Sequence, residues 1–85
     1  MGTLMRPASL DDASVSNPIR ERLGKRVRRL RERHGWTQAV CAEKFGLNVT
    51  YLGLLERGQK NICLDTLHII AVGFGVSLSR LLSGV

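Results

Sequence analysis

Apolar residues near the start of the chain recur at intervals of three and four, the spacing of one face of an α-helix. The first stripe consists of Ile19, Leu23, Val27, Leu30 and His34. Asn17 and Pro18 precede it, and these residue types favour the N-cap and the first helical position. Gly35 follows it and permits the left-handed cap that ends many helices. The pattern therefore predicts a first helix that begins at Pro18 and ends before Gly35.

A short second helix is predicted next, from about Gln38 to Phe45. Thr37 is expected to cap it, and Gly46 to end it, because a turn that needs a positive φ favours glycine. Ala42 is small enough to allow another helix to cross this one at a steep angle.

A third helix, equally short, is predicted from about Val49 to Arg57, with Asn48 as N-cap and Gly58 as terminator. Two short helices joined by a turn of about three residues form a helix-turn-helix unit. The residues expected to face inward from this unit are Cys41, Phe45, Leu47, Leu52 and Leu55. The residues left outside, on the face expected to contact DNA, are Asn48, Val49, Thr50, Gly53 and Leu54.

The rest of the chain predicts two more helices. The fourth runs from about Leu64 to Phe74 and ends at the pair Gly73 and Gly75, and Ser77 caps a fifth that ends at about Leu82. The fourth helix is expected to bury Leu67, Ile70, Ala71 and Phe74. Because no stretch has a strand pattern, we predict an all-α fold, a compact five-helix bundle.

The first 16 residues differ from the rest, being rich in Ser, Ala and Asp without any periodicity. They predict a flexible arm before a domain at residues 17–85. The arm lacks the apolar core of a signal peptide, and no apolar run approaches the ~20 residues needed to cross a bilayer. We therefore expect a cytoplasmic location. Because the fifth helix nearly reaches Val85, we also expect no ligand-sensing domain.

The positive charge is concentrated in the first helix. Residues 19–34 hold eight basic and two acidic residues, an excess equal to the formal net charge of +6 of the whole chain. The basic residues are Arg20, Arg22, Lys25, Arg26, Arg28, Arg29, Arg31 and Arg33. Such a concentration favours a polyanionic partner, with a merely solvated helix face as the alternative.

Candidate catalytic and metal-binding residues are scarce. We expect Cys41 and Cys63 to be small buried hydrophobes, and a zinc site with His34 and His68 would need better ligand spacing. The sequence offers neither paired carboxylates in a cleft nor a glycine loop that cradles phosphate. We therefore predict no enzyme, no metal and no cofactor.

The segment TQAVCAEKFGLNVTYLGLLERGQKN, with LGKRVRRLRERHGW before it and LDTLHIIAVGFGVSLSRLL after it, resembles the Cro and phage-repressor type of helix-turn-helix domain. This is the xenobiotic-response-element family of bacterial transcription regulators. The resemblance covers about residues 19–83, and TYLGLLERGQKN is particularly similar to the controller proteins of restriction–modification systems, which act as dimers. It implies a lambda-repressor-like DNA-binding domain and a sequence-specific transcriptional regulator that binds double-stranded DNA.

The resemblance also implies roles for single residues. The residues expected to contact DNA bases are Asn48, Val49, Thr50 and Leu54. Those expected to contact the DNA backbone are Thr37, Gln38, Tyr51, Lys60 and Asn61, to which the basic first helix adds Lys25 and Arg26. Glu56 and Arg57 resemble the family's structural pair. Val49 and Leu54 could pack on thymine methyl groups, whereas Gly53 is expected to make no contact.

One helix-turn-helix reads too few base pairs to find a single site in a genome, so we predict a homodimer on a (pseudo)palindromic operator. Its interface is expected to comprise Ile69, Val72, Leu78, Leu81, Leu82 and Val85. At least one of Leu78 and Leu81 is expected to seal the core instead. The alternative function is an antitoxin or adaptor that uses the same fold to bind a protein encoded nearby, since Leu54, Ile69 and Val72 are apolar residues on outer faces.

Overall fold

The computed structural model describes residues 18–85, in which five α-helices are joined by short turns. The helices are α1 (Pro18–Arg33), α2 (Gln38–Phe45), α3 (Val49–Glu56), α4 (Leu64–Phe74) and α5 (Leu78–Leu81). No strand occurs among these residues, so the predicted all-α fold is confirmed. The predicted arm at residues 1–16 and the predicted N-cap Asn17 lie outside the described residues. None of the five helices is long and apolar enough to span a bilayer.

The predicted caps fix where three of the helices begin. The Thr37 hydroxyl accepts a hydrogen bond from the Val40 backbone N–H at 3.1 Å. The side-chain oxygen of Asn48 accepts two, from the backbone N–H groups of Thr50 and Tyr51. Ser77 caps α5 in the same way. These bonds satisfy backbone donors that a helix leaves unpaired in its first turn.

The turn that joins α2 to α3 depends on Gly46, whose φ is +70°. Its backbone N–H caps the last carbonyls of α2, and the N–H of Leu47 bonds to the Ala42 carbonyl at 2.8 Å. Leu47 is half-buried against the core. The chain therefore leaves α2 within three residues and starts α3 at Val49, as the sequence predicts.

The core lies where α1, α3, α4 and the middle of α2 meet. Its buried apolar residues are Leu23, Val27, Leu30, Cys41, Ala42, Phe45, Leu52, Leu55, Ile70, Ala71, Phe74 and Leu81. Two members of the predicted α1 stripe are wrong: Ile19 is 55% exposed and His34 is exposed. Ile19 precedes Leu23, the first core residue of α1, by about one turn, and His34 follows Arg33, the last residue of that helix.

Two glycines allow helices to approach closely. A Cβ on Gly24 would lie 2.5–2.8 Å from the carbonyl groups of Leu55 and Glu56, so α1 rests directly on the backbone of α3. A Cβ on Gly73 would lie 2.3 Å from the Phe45 ring. Gly73 was predicted to end α4; it instead lies inside that helix, and Gly75 alone forms the left-handed cap.

Aromatic rings close the end of the bundle where α1 turns into α2. Trp36 stacks on His34 with ring centroids 4.3 Å apart, and Phe74 lies parallel to Trp36 at 6.1 Å. Phe45 meets both Trp36 and Phe74 edge-on. The Lys44 ammonium lies 5.1 Å from the centre of the indole. One cluster thus joins the end of α1 to α2 and α4.

Candidate nucleic-acid interface

The outer face of α3 is open to solvent at its N-terminal end. Asn48, Thr50 and Val49 are exposed, Val49 by 45%, whereas Leu54 is half-buried. Hydroxyl, amide and methyl groups are therefore available at one edge of a short helix, the arrangement that reads base edges in a major groove. The side-chain oxygen Oδ1 of Asn48 already accepts the two capping hydrogen bonds. The side-chain N–H₂ group of Asn48 is therefore the group left to donate to a base.

Gly53 does not lie on this open face as predicted. It is buried, and a Cβ there would meet the Arg57 guanidinium at 3.5 Å and the Gln38 amide at 3.6 Å. The side chains of Gln38 and Arg57 therefore lie over Gly53. Gly53 is therefore covered by two polar side chains and is not exposed to solvent.

A buried ion pair holds the opposite face of α3. The Arg31 guanidinium donates from Nε to Glu56 Oε2 at 2.6 Å and from Nη2 to Oε1 at 3.0 Å. Arg31 also donates from Nη1 to the Trp36 carbonyl at 2.8 Å. The hydrogen bonds to Glu56 raise the pKa of Arg31. A doubly hydrogen-bonded pair fixes direction as well as distance, so α1 sets the orientation of α3.

Gln38 completes this network from α2, donating from Nε2 to Glu56 Oε1 at 3.0 Å. Glu56 thus accepts hydrogen bonds from α1 and α2 while it belongs to α3. The structural role expected for Glu56 fits this network, whereas its neighbour Arg57 donates from Nε to Gln59 Oε1 at 3.4 Å. The predicted phosphate contact of Gln38 stays a prediction, with one amide N–H already used inside the protein.

The loop after α3 is tied back to Tyr51. The Lys60 ammonium lies 5.6 Å from the centre of the Tyr51 ring, and the ring packs against the core. Burial raises the pKa of Tyr51, and a hydrogen bond with Thr66 acts in the opposite direction. Tyr51 therefore links α3 to α4, and its predicted contact with a DNA phosphate stays a prediction.

Cys63 is exposed, which corrects the prediction that both cysteines are buried; Cys41 is buried as expected. Cys63 occupies the N-cap position of α4 with Sγ 3.2 Å from the Thr66 hydroxyl. That hydrogen bond lowers the pKa of Cys63, whereas burial raises the pKa of Cys41 to about 11. Among the described residues no group of three His, Cys, Asp or Glu could hold a metal ion.

The two predicted phosphate contacts of α1 differ in the structure. Arg26 donates from Nη2 to the Arg80 carbonyl at 2.9 Å and from Nε to the Leu81 carbonyl at 3.4 Å. It therefore caps the C-terminal end of α5, which corrects its assignment as a residue held out toward DNA. Lys25 is exposed.

The predicted dimer residues fall into three groups. Leu81 is fully buried and is a core residue and not part of an interface, as expected for at least one of Leu78 and Leu81. Leu78, Leu82 and Val85 are half-buried and pack against the core. Ile69 and Val72 are exposed by 43% and 63% on the outer face of α4.

The sequence matches the family described as "Helix-turn-helix domain" over residues 22–83. The chain belongs to this family. Control protein C.SmaI from Serratia marcescens is 38% identical over 65 residues, 76% of this chain and 77% of that protein. Control protein C.MunI from a Mycoplasma species is 34% identical over 70 residues, 81% of this chain and 95% of that protein.

A solved structure agrees with these relatives. The restriction–modification controller protein C.AhdI from Aeromonas hydrophila superimposes with a TM-score of 0.70 at 32% identity, over 73% of this chain and 94% of that one. This helix-turn-helix protein is accordingly a sequence-specific DNA-binding transcriptional regulator. α2 and α3 are its helix-turn-helix, and α3 is the recognition helix.

Three features of this interface were missed by sequence reasoning. They are the pairing of Arg31 with Glu56, the contact of Gly24 with the α3 backbone, and the capping of α5 by Arg26. The only sequence signal for the pairing of Arg31 with Glu56 was the position of Arg31 on the inner side of α1, one turn after Val27. The contact at Gly24 had a signal too, a glycine in the middle of a helix, where it costs about 0.5–1 kcal/mol unless something requires it.

Proposed function

We propose that two copies of this chain bind one (pseudo)palindromic operator as a homodimer, each placing α3 in the major groove. The observation that carries the proposal is the division of α3 into two faces. Its inner face is fixed to α1 and α2 through Glu56, and its outer face presents Asn48, Val49 and Thr50 to solvent. A rigidly held helix with a free polar and methyl-bearing edge is suited to base reading.

The proposed base contacts are made by Asn48, Val49, Thr50 and the half-buried Leu54. The first turn of α2 and the loop after α3 would bind phosphates on either side of α3, through Thr37, Gln38, Lys60 and Asn61. Backbone N–H groups at the start of α2 favour an anion there, and such contacts set orientation without carrying sequence information.

Ile69 and Val72 are proposed as the centre of the dimer interface. Both lie on the face of α4 directed away from the core, where two exposed β-branched residues a turn apart form an apolar patch. Leu82 and Val85, half-buried beside the core, would extend it. Two recognition helices about 34 Å apart would then meet successive major grooves on one side of the duplex.

C.AhdI is a restriction–modification controller, which suggests a comparable role in controlling a small set of genes for this protein. The proposed site of action is the cytoplasm, at the nucleoid, without catalysis or cofactor. The relatives are regulators and do not favour the antitoxin or adaptor alternative.

Selection of bound sequences from random DNA tests the proposal, combined with sedimentation of the protein alone and on the selected duplex. The expected result is a symmetric site occupied by two copies. An asymmetric site occupied by a single copy would contradict the homodimer, and enrichment of no sequence would contradict base reading by α3.

A further inference from the structure

The face of α1 opposite the core carries a stripe of four cations. They are Arg22, Lys25, Arg29 and Arg33, spaced by three and four residues, and all four are exposed. At about 100° per residue these positions share one side of the helix. Arg22 and Arg33 are 11 residue steps apart, so the stripe is about 16 Å long.

No carboxylate within residues 18–85 neutralises this stripe. Glu32 pairs with Arg28 on the flank of α1, Nε to Oε2 at 3.1 Å. Glu21 lies against the turn at Gly58, where a Cβ would meet its backbone and Cγ at 2.8–3.0 Å. Of the stripe cations themselves, none makes an ion pair or side-chain hydrogen bond with the described part of the chain.

The stripe points away from the recognition face. The side of α1 that rests on α3 carries Gly24, Val27 and Arg31, roughly opposite the four cations around the helix. The side of α3 that rests on α1 carries Leu55 and Glu56, opposite Thr50 and Leu54. Two helix diameters, about 20 Å, therefore separate the cations from a duplex held by α3.

We infer that the α1 stripe binds the phosphate backbone of a second DNA duplex segment, so that one protein molecule can hold two segments at once. Three of its four members are Arg, whose planar guanidinium fits phosphate in a bidentate way. The cations recur every 4.5–6 Å along α1, and one strand of a duplex presents a phosphate every ~3.4 Å along its axis. Lys25, expected above to contact the operator backbone, is thereby assigned to the second segment.

This inference rests on DNA binding through α3 but not on the homodimer or on the operator sequence. It requires no base contact, because phosphates carry no sequence information. The second segment can therefore be any duplex, including a distant part of the DNA molecule that holds the operator.

A capture experiment on the full chain tests it. A biotinylated duplex carrying the selected site is fixed to streptavidin beads and loaded with protein, and a fluorescent duplex of random sequence is added. The stripe variant is Arg22→Gln with Lys25→Gln and Arg29→Gln. The matched control is Arg28→Gln with Lys44→Gln and Arg80→Gln, which removes the same charge from exposed positions off the stripe.

Captured fluorescence per retained protein should fall at least about tenfold in the stripe variant and stay near the wild-type value in the control. In the stripe variant, the slope of log K for the fluorescent duplex against log salt should become less steep by roughly 2.7, for three lost phosphate contacts at about 0.9 each. Undiminished capture by the stripe variant would mean a merely solvated face and overturn the inference. So would loss of retention on the anchored duplex, because the stripe would then touch the operator itself.

Two further outcomes are distinguished by added arms. Binding of labelled polyglutamate through the stripe, without capture of the duplex, would overturn the inference in favour of an acidic protein partner. Failure of wild-type protein to stay on the beads would contradict the proposed function of α3. Fluorescence anisotropy then measures binding of the random duplex directly. Loss of binding in the stripe variant, with binding retained in Val49→Glu with Thr50→Glu, supports the inference. Any other pattern overturns it.

Discussion

Arg31 on α1 and Glu56 on α3 meet with Nε 2.6 Å from Oε2 and Nη2 3.0 Å from Oε1, almost wholly shielded from water. A charged pair in that setting stabilises the fold only while both partners are present. The pair joins the first helix directly to the recognition helix, so its loss would affect both the stability of the fold and the orientation of α3.

Glu56→Ala should lower the free energy of unfolding by about 3–5 kcal/mol, because it leaves the Arg31 charge buried without its partner. Urea denaturation followed by circular dichroism measures this. The control is Arg28→Ala, which breaks the exposed pair with Glu32 and should cost about 0.5 kcal/mol or less. Similar losses in the two variants would mean that burial adds nothing to the Arg31 pair.

Two glycines inside helices should respond to alanine with opposite signs. Gly73→Ala pushes a methyl group into the Phe45 ring and should cost about 1–3 kcal/mol. Gly53→Ala meets only side-chain ends at 3.5 Å or more and should add about 0.5–1 kcal/mol through helix propensity. Thermal melts of the two variants provide the comparison. A stabilising Gly73→Ala would show that α2 and α4 can separate without cost.

Thr50→Ala should weaken binding to the selected site by about 1–3 kcal/mol and leave binding to random DNA nearly unchanged, as expected for one lost base contact. Gln38→Ala is the matched control. It should weaken binding to every sequence alike and also destabilise the fold by about 1.5 kcal/mol through its lost bond to Glu56. Titrations on both duplexes measure these effects, and a change of base preference in Gln38→Ala would reverse the two assignments.

Ile69→Glu combined with Val72→Glu should give monomers with unchanged helix content, because two charges cannot be buried in an apolar interface. Sedimentation equilibrium measures the mass, and affinity for the symmetric site should fall sharply. Leu64→Glu changes an apolar residue that is 66% exposed at the other end of α4, and it should leave the dimer intact. If the double variant still sediments as a dimer, the interface lies on another face.

The two thiols should react very differently with a disulfide reagent. The lowered pKa of Cys63 increases its thiolate fraction at neutral pH, so Cys63 should react faster than an unperturbed thiol. Cys41 is buried with a pKa of about 11 and should react only on unfolding. Thr66→Val should move the pH–rate curve of Cys63 to higher pH. Equal rates for the two thiols in the folded protein would contradict this.

Local features of this fold could be predicted from sequence because their causes are local. The caps Thr37, Asn48 and Ser77 bond to N–H groups two or three residues away, and Gly46 is required by the positive φ of its own backbone. The helix-turn-helix unit follows from these signals, and so does its exposed edge at Val49 and Thr50.

What could not be predicted depends on partners far along the chain. Arg31 looks like one more member of a basic run until α3 brings Glu56 to it, 25 residues away. Arg26 likewise requires the α5 carbonyls 54 and 55 residues on. Leu81 has the spacing of an apolar surface stripe. Its helix has only four residues, so the position of that helix is set by the burial of Leu81 in the core and not by an apolar pattern of its own.

Trp36 gives this protein a built-in optical reporter. It is the sole tryptophan of the chain, and its indole touches the end of α1 through His34, α2 through Phe45 and Lys44, and α4 through Phe74. Its emission should therefore change when these helices separate, with no label attached. None of these contacts involves the outer face of α4, where Ile69 and Val72 lie. Fluorescence should thus follow unfolding while remaining silent to dissociation of a dimer, so the two processes can be separated in one sample.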